Sequence, residues 1–301
     1  MIIKHDVVFT IVLDYIKKSN IKELGQLVDI IEQGNAINPY NVITEKNKYL
    51  MWNEQCGLNF PILYLASIYL YKHAQERNCD TFLFATRDCC QWYRIFKRMY
   101  PHTNVHYFHC SRNMFELATQ SGNRYFKNYV KSIVEHNVEK TIFIDIHGTG
   151  QRMFNYFTKE FSKTPHCFLL SAKKNGYNDF PKISRHNKKQ DKFINLVFGA
   201  RGSPIEMLNY DLVGTLQTFK ASGPVRDNPE YNLKQIKPYH KCINYLANSI
   251  KSTNYDYYNT SDNYNIVDIH RLIKKIFAKI EVNKPIIGKY INHIGKHKKN
   301  V

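Results

Sequence analysis

The sequence predicts a three-layer α/β domain on a mostly parallel, Rossmann-like and phosphoribosyltransferase-like sheet. Three observations predict it. Short apolar runs have the length and the β-branched and aromatic content of buried strands: TFLFAT (81–86), NVHYFHCS (104–111), TIFID (141–145) and HCFLLSA (166–172). Between them lie segments with apolar residues at helical spacing: CQWYRIFKRMY (90–100), residues 113–136 and QRMFNYFTKEF (151–161). The connections are short, and such alternation is the mark of βαβ units, whose strands run parallel.

The elements follow in order. Residues 7–32 repeat apolar side chains at helical spacing, so residues 1–50 are read as an N-terminal helical cap, with Gly34 and Pro39 punctuating its end. Residues 61–77 open on Pro61 and repeat apolar residues every three or four positions, which predicts a long buried helix. The α/β domain then runs over 51–250 and carries the phosphate site expected below. Its last part, 195–219, reads as a strand, a loop, a short helix and a hairpin. Residues 251–264 are polar and aromatic without a period, as in a linker. Residues 265–281 form a basic amphipathic helix, with Ile266, Ile269, Leu272, Ile273, Ile276 and Ile280 on one stripe. The appendage 251–301 ends in a Lys- and His-rich tail.

Bulk composition sets limits. With 301 residues, 43% hydrophobic and 14% aromatic, the chain can bury a sizeable core, which excludes disorder over most of its length. The formal charge of +18 attracts polyanions: non-specific nucleic acid through the basic C-terminal region, anionic lipid, or phosphorylated small molecules. A lysine-rich solubilising surface accounts for it equally well. The seven cysteines are irregularly spaced and contain no C-x-x-C pair, so neither a zinc ribbon nor a disulfide framework is expected. The vicinal Cys89–Cys90 pair and the group His102, His106, His109 and Cys110 are read as packing rather than as redox or metal chemistry. No apolar run is long enough to span a bilayer, and the N-terminus lacks the pattern of a signal peptide. A cytoplasmic protein is expected.

Ligands of open α/β sheets sit at the carboxyl ends of the strands. Two ends here carry chemistry: ATRDCC (85–90) and DIHGTGQR (145–152), each between a strand and a helix. Helix N-termini favour anions, and glycines let backbone approach a phosphate. Gly148, Thr149, Gly150 and Gln151 therefore fit a phosphate cradle, although a tight turn capped by Thr149 has the same sequence. Asp145, at its strand tip, suits sugar hydroxyls or a metal, Mg²⁺ being the ion expected. Arg87 and Asp88, and Arg112 after Ser111, are the further ligand-binding candidates, the arginines as charge clamps.

Residues 50–235 resemble the second α/β region of haloacid-dehalogenase-type predicted hydrolases from bacterial polysaccharide loci. The matching features are the helix from Pro61, Arg87-Asp88, Ser111-Arg112, Asp145-Ile146 with Gly148, and Glu206 before Gly214. Cys89 stands where that pattern has Gly, and His147 where it has Gly again. IFIDIHGTGQ is also similar to the signature of type I phosphoribosyltransferases, in which the loop backbone holds a 5-phosphate and paired acids contact ribose. Ile146 stands in place of the second acid. The same stretch is similar to the first motif of haloacid-dehalogenase phosphatases. That resemblance implies Asp145 as nucleophile and His147 as general acid, with Ser171 ending a later strand.

The resulting expectation is a phosphoribosyltransferase-like domain that binds a phosphorylated sugar or nucleotide, whether active or catalytically degenerate. The alternatives are a phosphohydrolase working through Asp145 and a basic protein that binds nucleic acid or a partner without catalysis.

Overall fold

The computed structural model describes residues 4–19, 21, 24–134, 137–173, 192–199, 204–229, 233–251 and 266–282. Three helices come first: α1 (Lys4–Lys17), α2 (Gly25–Ala36) and α3 (Lys46–Glu54). A π-helical turn, Gln55–Asn59, leads into α4 (Phe60–Glu76). The α/β alternation follows: β1 (Thr81–Ala85), α5 (Cys90–Met99), β2 (Asn104–Phe108), α6 (Arg112–Ser121), α7 (Arg124–Val134), β3 (Thr141–His147), α8 (Gln151–Phe161), β4 (His166–Lys173) and β5 (Phe193–Gly199). A one-turn helix α9 (Pro204–Met207), the hairpin β6 (Leu216–Lys220) and β7 (Gly223–Arg226), α10 (Leu233–Asn248) and α11 (Ile266–Val282) complete the described chain.

Strands β1 to β5 form one sheet in the order β2-β1-β3-β4-β5, every pairing parallel. From β1 the chain steps outward to β2, and from β2 it crosses back over β1 to β3. Right-handed crossovers in opposite directions put their helices on opposite faces. α4, α5 and α11 cover the face that carries Phe82, Phe84 and Phe168: Phe82 and Phe84 meet Phe96, and Phe168 meets Trp92 and Tyr69. α6, α7 and α8 cover the face with Phe108 and Phe143, through Phe115, Phe126 and Tyr156. This is the three-layer arrangement the alternation predicts. The strand order reverses between β1 and β3, and in open α/β sheets it is outside the carboxyl ends of the strands at such a point that the ligand crevice lies.

Several boundaries differ from the sequence reading, each for a local reason. The segment 113–136 is two helices because Gly122, at φ 74°, ends α6, and the Asn123 side chain accepts from Phe126 N at the start of α7 (2.9 Å). β3 runs two residues past Asp145, to His147. Gly34 lies inside α2, where a Cβ would meet Leu246 Cδ2 at 2.4 Å, so it marks close helix packing and not a helix end. α3 buries five consecutive residues, Leu50 to Glu54, and so shows no stripe. α10, which the sequence reading did not single out, contains Pro238.

Ile269, Leu272, Ile273, Ile276 and Ile280 of α11 are buried in the same core as the sheet. His270 on that helix donates through Nε2 to Leu196 O of β5 (2.7 Å). The expected linker at 251–264, beyond Lys251, and the tail from 284 lie outside the described residues. Among the described residues no helix is long and apolar enough to cross a membrane.

The Phe126 ring, fully buried between Phe108, Phe115, Tyr156 and Phe219, couples α7 to the sheet, to α8 and to the hairpin. Phe126→Ala should destabilise the protein by about 3–5 kcal/mol, read as a lower denaturation midpoint at unchanged m-value.

Candidate functional site

The loop after β1 is short and tightly tied. Cys89 N donates to Ala85 O (3.1 Å) and Cys90 N to Arg87 O (3.3 Å), which turns the chain directly into α5. The Thr86–Arg87 peptide is cis. The Cys89 thiol donates to Ile144 O of β3 (3.5 Å), so this loop is fastened to the neighbouring strand tip. Cysteine at this position thus has a packing role that glycine lacks. Burial, with the Asp145 charge beside them, pushes the thiols of Cys89, Cys110 and Cys167 well up, so none is a reactive thiolate. All seven cysteines are buried and free.

At the tip of β3, Asp145 and His147 share the α6–α8 face of the sheet, because alternate residues of a strand point the same way. Asp145 Oδ1 accepts from Ile146 N (2.8 Å). Its carboxyl is nevertheless pushed well above the usual carboxylate range. Burial is the largest cause, and the charges of Asp88 and Glu206 add to it. Asp88 comes from the β1 loop and Glu206 from α9. The charges of Asp88 and Glu206, from two other segments, therefore act on Asp145 at the sheet's switch point. The second acid that the sequence lacks beside Asp145, where Ile146 is fully buried, arrives from elsewhere in the chain.

His147 is held by Ser171 of β4. The Ser171 hydroxyl donates to Ile146 O (3.1 Å), so it accepts from Nδ1–H of His147 (2.8 Å), which fixes the tautomer. The glycine loop follows. Gly148 N donates to Ser171 O (3.3 Å), and a Cβ on Gly148 would lie 3.4 Å from Asp145 Oδ2. Gly150 is left-handed (φ 67°) and is the N-cap of α8; a Cβ there would meet Cys167 Sγ at 2.8 Å. Gly150, and not Thr149, therefore caps the helix. The Thr149 hydroxyl accepts a long bond from Gln151 N (3.4 Å). Asp145, Gly148, Thr149, Gly150 and Gln151 all lie at this one tip, with Arg87 and Asp88 on the adjacent loop.

Arg112 is placed differently. Ser111 caps α6, accepting from Met114 N (3.0 Å) and donating to Leu216 O of the hairpin (2.6 Å). Arg112 itself is exposed on the first turn and forms no ion pair among the described residues.

Four buried amides fix the segment that carries Glu206. Gln55, Asn59, Gln91 and Asn209 are all fully buried. Asn59 Nδ2 donates to Gln55 Oε1 (2.6 Å), Gln91 Oε1 (3.1 Å) and Asn209 Oδ1 (3.1 Å), and Asn209 Nδ2 returns a bond to Asn59 Oδ1 (2.9 Å). Gln55 Nε2 donates to Leu208 O (2.5 Å), and Asn209 Nδ2 also to Ile205 O (2.8 Å). The π-helical turn aims the first two amides at this segment. Nothing in the sequence flags them, since isolated Asn and Gln residues in helices are ordinary.

A second cluster brings metal-ligand atom types together, and its histidine is already engaged on both nitrogens. Cys90, Asp211 and His240 are buried and bring ligand atoms within 4.8 Å of one another. Arg94 Nη1 lies 2.9 Å from His240 Nδ1, which must accept, so Nε2 carries the proton to Tyr210 O (2.8 Å). A metal on Nε2 would leave Nδ1–H facing arginine, which offers no acceptor. Asp211 is engaged by the Tyr107 hydroxyl and by Leu212 N. The cluster anchors residues 209–212 beneath the β1 loop. A cavity of about 550 Å³ at the opposite edge of the sheet, beside Cys79 and His102, holds one carboxylate, Asp80, already bonded to Thr81 (2.9 Å). The strand tips are where the chemistry gathers.

No protein-family model matches the chain, and no curated protein matches it.

Two outcomes follow from this geometry. Asn209→Ala strands the buried Asn59 amide and should cost about 1–3 kcal/mol in chemical denaturation. The raised carboxyl of Asp145 sets a pH dependence. A group whose folded pKa lies above its unfolded value, about 3.9, contributes stability that is complete below that value and is lost as pH rises through the folded one. In EDTA, the melting temperature of the wild type should therefore fall from acid to neutral pH. Asp145→Asn should flatten that fall and melt higher at pH 7; an unchanged profile would show that Asp145 ionises freely.

Proposed function

We propose that this chain binds a phosphorylated sugar or nucleotide, together with Mg²⁺, in the crevice at the carboxyl ends of β1 and β3, as a phosphoribosyltransferase-like domain. One observation carries the reading. Asp145, on which the charges of Asp88 and Glu206 act, lies beside a glycine loop that opens a helix. Three carboxylates repel a phosphate, whereas the helix start attracts one. A hard cation reconciles the two.

Asp145 offers such an ion a hard oxygen ligand, and the charges of Asp88 and Glu206 make the place more favourable to a cation. Asp145 would hold it, and when bound it supplies the positive charge that joins carboxylate to phosphate oxygens. The chain's own residues supply the rest. Backbone N–H groups at the start of α8 face the phosphate, with the Thr149 hydroxyl beside them. Gly148 keeps the space against Asp145 open. Arg87 brings charge to the adjoining loop.

Transfer at an anomeric carbon develops positive charge on the sugar ring, which carboxylates at this position stabilise. The second acid of the signature is absent next to Asp145, and Asp88 and Glu206 are the residues that take its place.

The test is thermal stabilisation by ribose 5-phosphate with and without Mg²⁺. Stabilisation should require Mg²⁺ and should disappear in Asp145→Asn and in Glu206→Gln. A shift that persists without the ion and in both variants would sink the reading.

A further inference from the structure

The hairpin β6–β7 delivers a cation to the crevice that the reading above does not use. Arg226, the last residue of β7, is half-buried. Its Nη1 donates to Gly214 O (3.0 Å), and its Nη2 to His109 Nδ1 (2.8 Å) and Thr86 Oγ1 (3.4 Å). All three acceptors are neutral. Among the described residues no carboxylate pairs with this guanidinium.

The neighbours are arranged around the arginine. His109 Nδ1 can accept only if the ring is neutral, and burial, followed by the Arg226 charge, lowers its pKa. His109 N in turn donates to the Tyr129 hydroxyl (2.8 Å). The Thr86 hydroxyl donates to Cys110 O (2.8 Å), which leaves its lone pairs for Cys110 N (3.1 Å) and for Arg226. The hairpin itself is fixed by Ser111 and by Asn123, whose Nδ2 donates to Thr218 Oγ1 and Phe219 O (both 3.2 Å).

A guanidinium has five N–H donors, and three acceptors hold it here. Two donors remain on an oriented guanidinium that forms no ion pair among the described residues, one residue away from Arg87 along the β1 loop through Thr86. We propose that Arg226, with His109 and Thr86 as its positioning residues, is an oxyanion site of the crevice, separate from the α8 loop, that takes a phosphate group of the ligand. This rests on the phosphosugar reading for the identity of that ligand, but not for the site. It implies a ligand with anionic groups at two points, one at the start of α8 and one beneath the hairpin.

The experiment uses the full chain in EDTA, where the carboxylate site holds no cation. Inorganic phosphate is titrated at constant ionic strength while the ¹H–¹⁵N signals of arginine Nε–H groups are followed. The Arg226 signal, assigned by its loss in Arg226→Lys, should shift saturably, and His109 Nδ1 should move with it at the same midpoint. Arg112, exposed and unpartnered in the same sense, should not saturate. In Arg226→Gln the phosphate affinity should fall by about tenfold or more, as expected for loss of a charge-assisted contact. A shift linear in phosphate, no shift, or an unchanged midpoint in Arg226→Gln overturns the proposal. Because Mg²⁺ is absent, that failure is distinct from a failure of Asp145 and Glu206 to support Mg²⁺-dependent binding.

Discussion

A half-buried carboxylate at the tip of a central strand, under the charges of two more carboxylates, is a costly arrangement, and much of the molecule serves to maintain it. Asp145 cannot retreat. Its strand is paired with β1 as far as Ile144, and Asp145 itself with Leu169 of β4. One oxygen is taken by Ile146 N. Asp88 arrives on a loop fastened to β3 by the Cys89 thiol, and Glu206 on a one-turn helix that lies against β3. Like charges assembled from separate segments, against their mutual repulsion, imply compensation elsewhere in the fold and a gain when a counter-ion arrives.

The compensation is visible in the four buried amides. A one-turn helix has no stability of its own. Residues 205–209 are held by Gln55, Asn59 and Gln91, which extend from the π-helical turn and from the first turn of α5. A buried polar network in a core fixes geometry more than it adds stability. Its members reach across the chain from the start of α4 to α9, so the position of Glu206 is tied to that of Asp88 through α5. The Arg94–His240–Tyr210 and Tyr107–Asp211 bonds extend the same scaffold along 209–212.

The strand–helix alternation was legible because each strand is a short apolar run and each helix of the α/β region has a stripe. Elements without such a period were not. α3 is buried over five residues in succession, and α10 carries a proline. The two loaded loops were legible for the same reason, since a strand that ends on Asp145 and then on glycines announces itself. Glu206 came into view only through its place in a resemblance, and Arg226 not at all. Both act across more than fifty residues of chain, and only the crossover of the sheet and the docking of the hairpin bring them to the tips. Arg112 shows the converse. Its place after a strand is right, but α6 starts there, and the first turn carries its side chain out to solvent.

The charge pattern of the crevice then has a direction. Its β3 side is acidic, with Asp145 and Glu206 against β3 and Asp88 on the loop tied to it. On its β2 side Arg226 sits over the ends of β1 and β2 without an ion pair among the described residues, with Asp211 held by Tyr107 of β2. The net charge of +18 does not explain this, since a surface lysine excess places cations where water solvates them. Arg226 is instead aimed by three neutral acceptors and is only half exposed. An acidic pole that needs a cation and a basic pole that needs an anion, held apart by β1, favour a ligand that is polar at both ends over a single free phosphate. Such a ligand would be oriented by electrostatics before any contact with its middle is made.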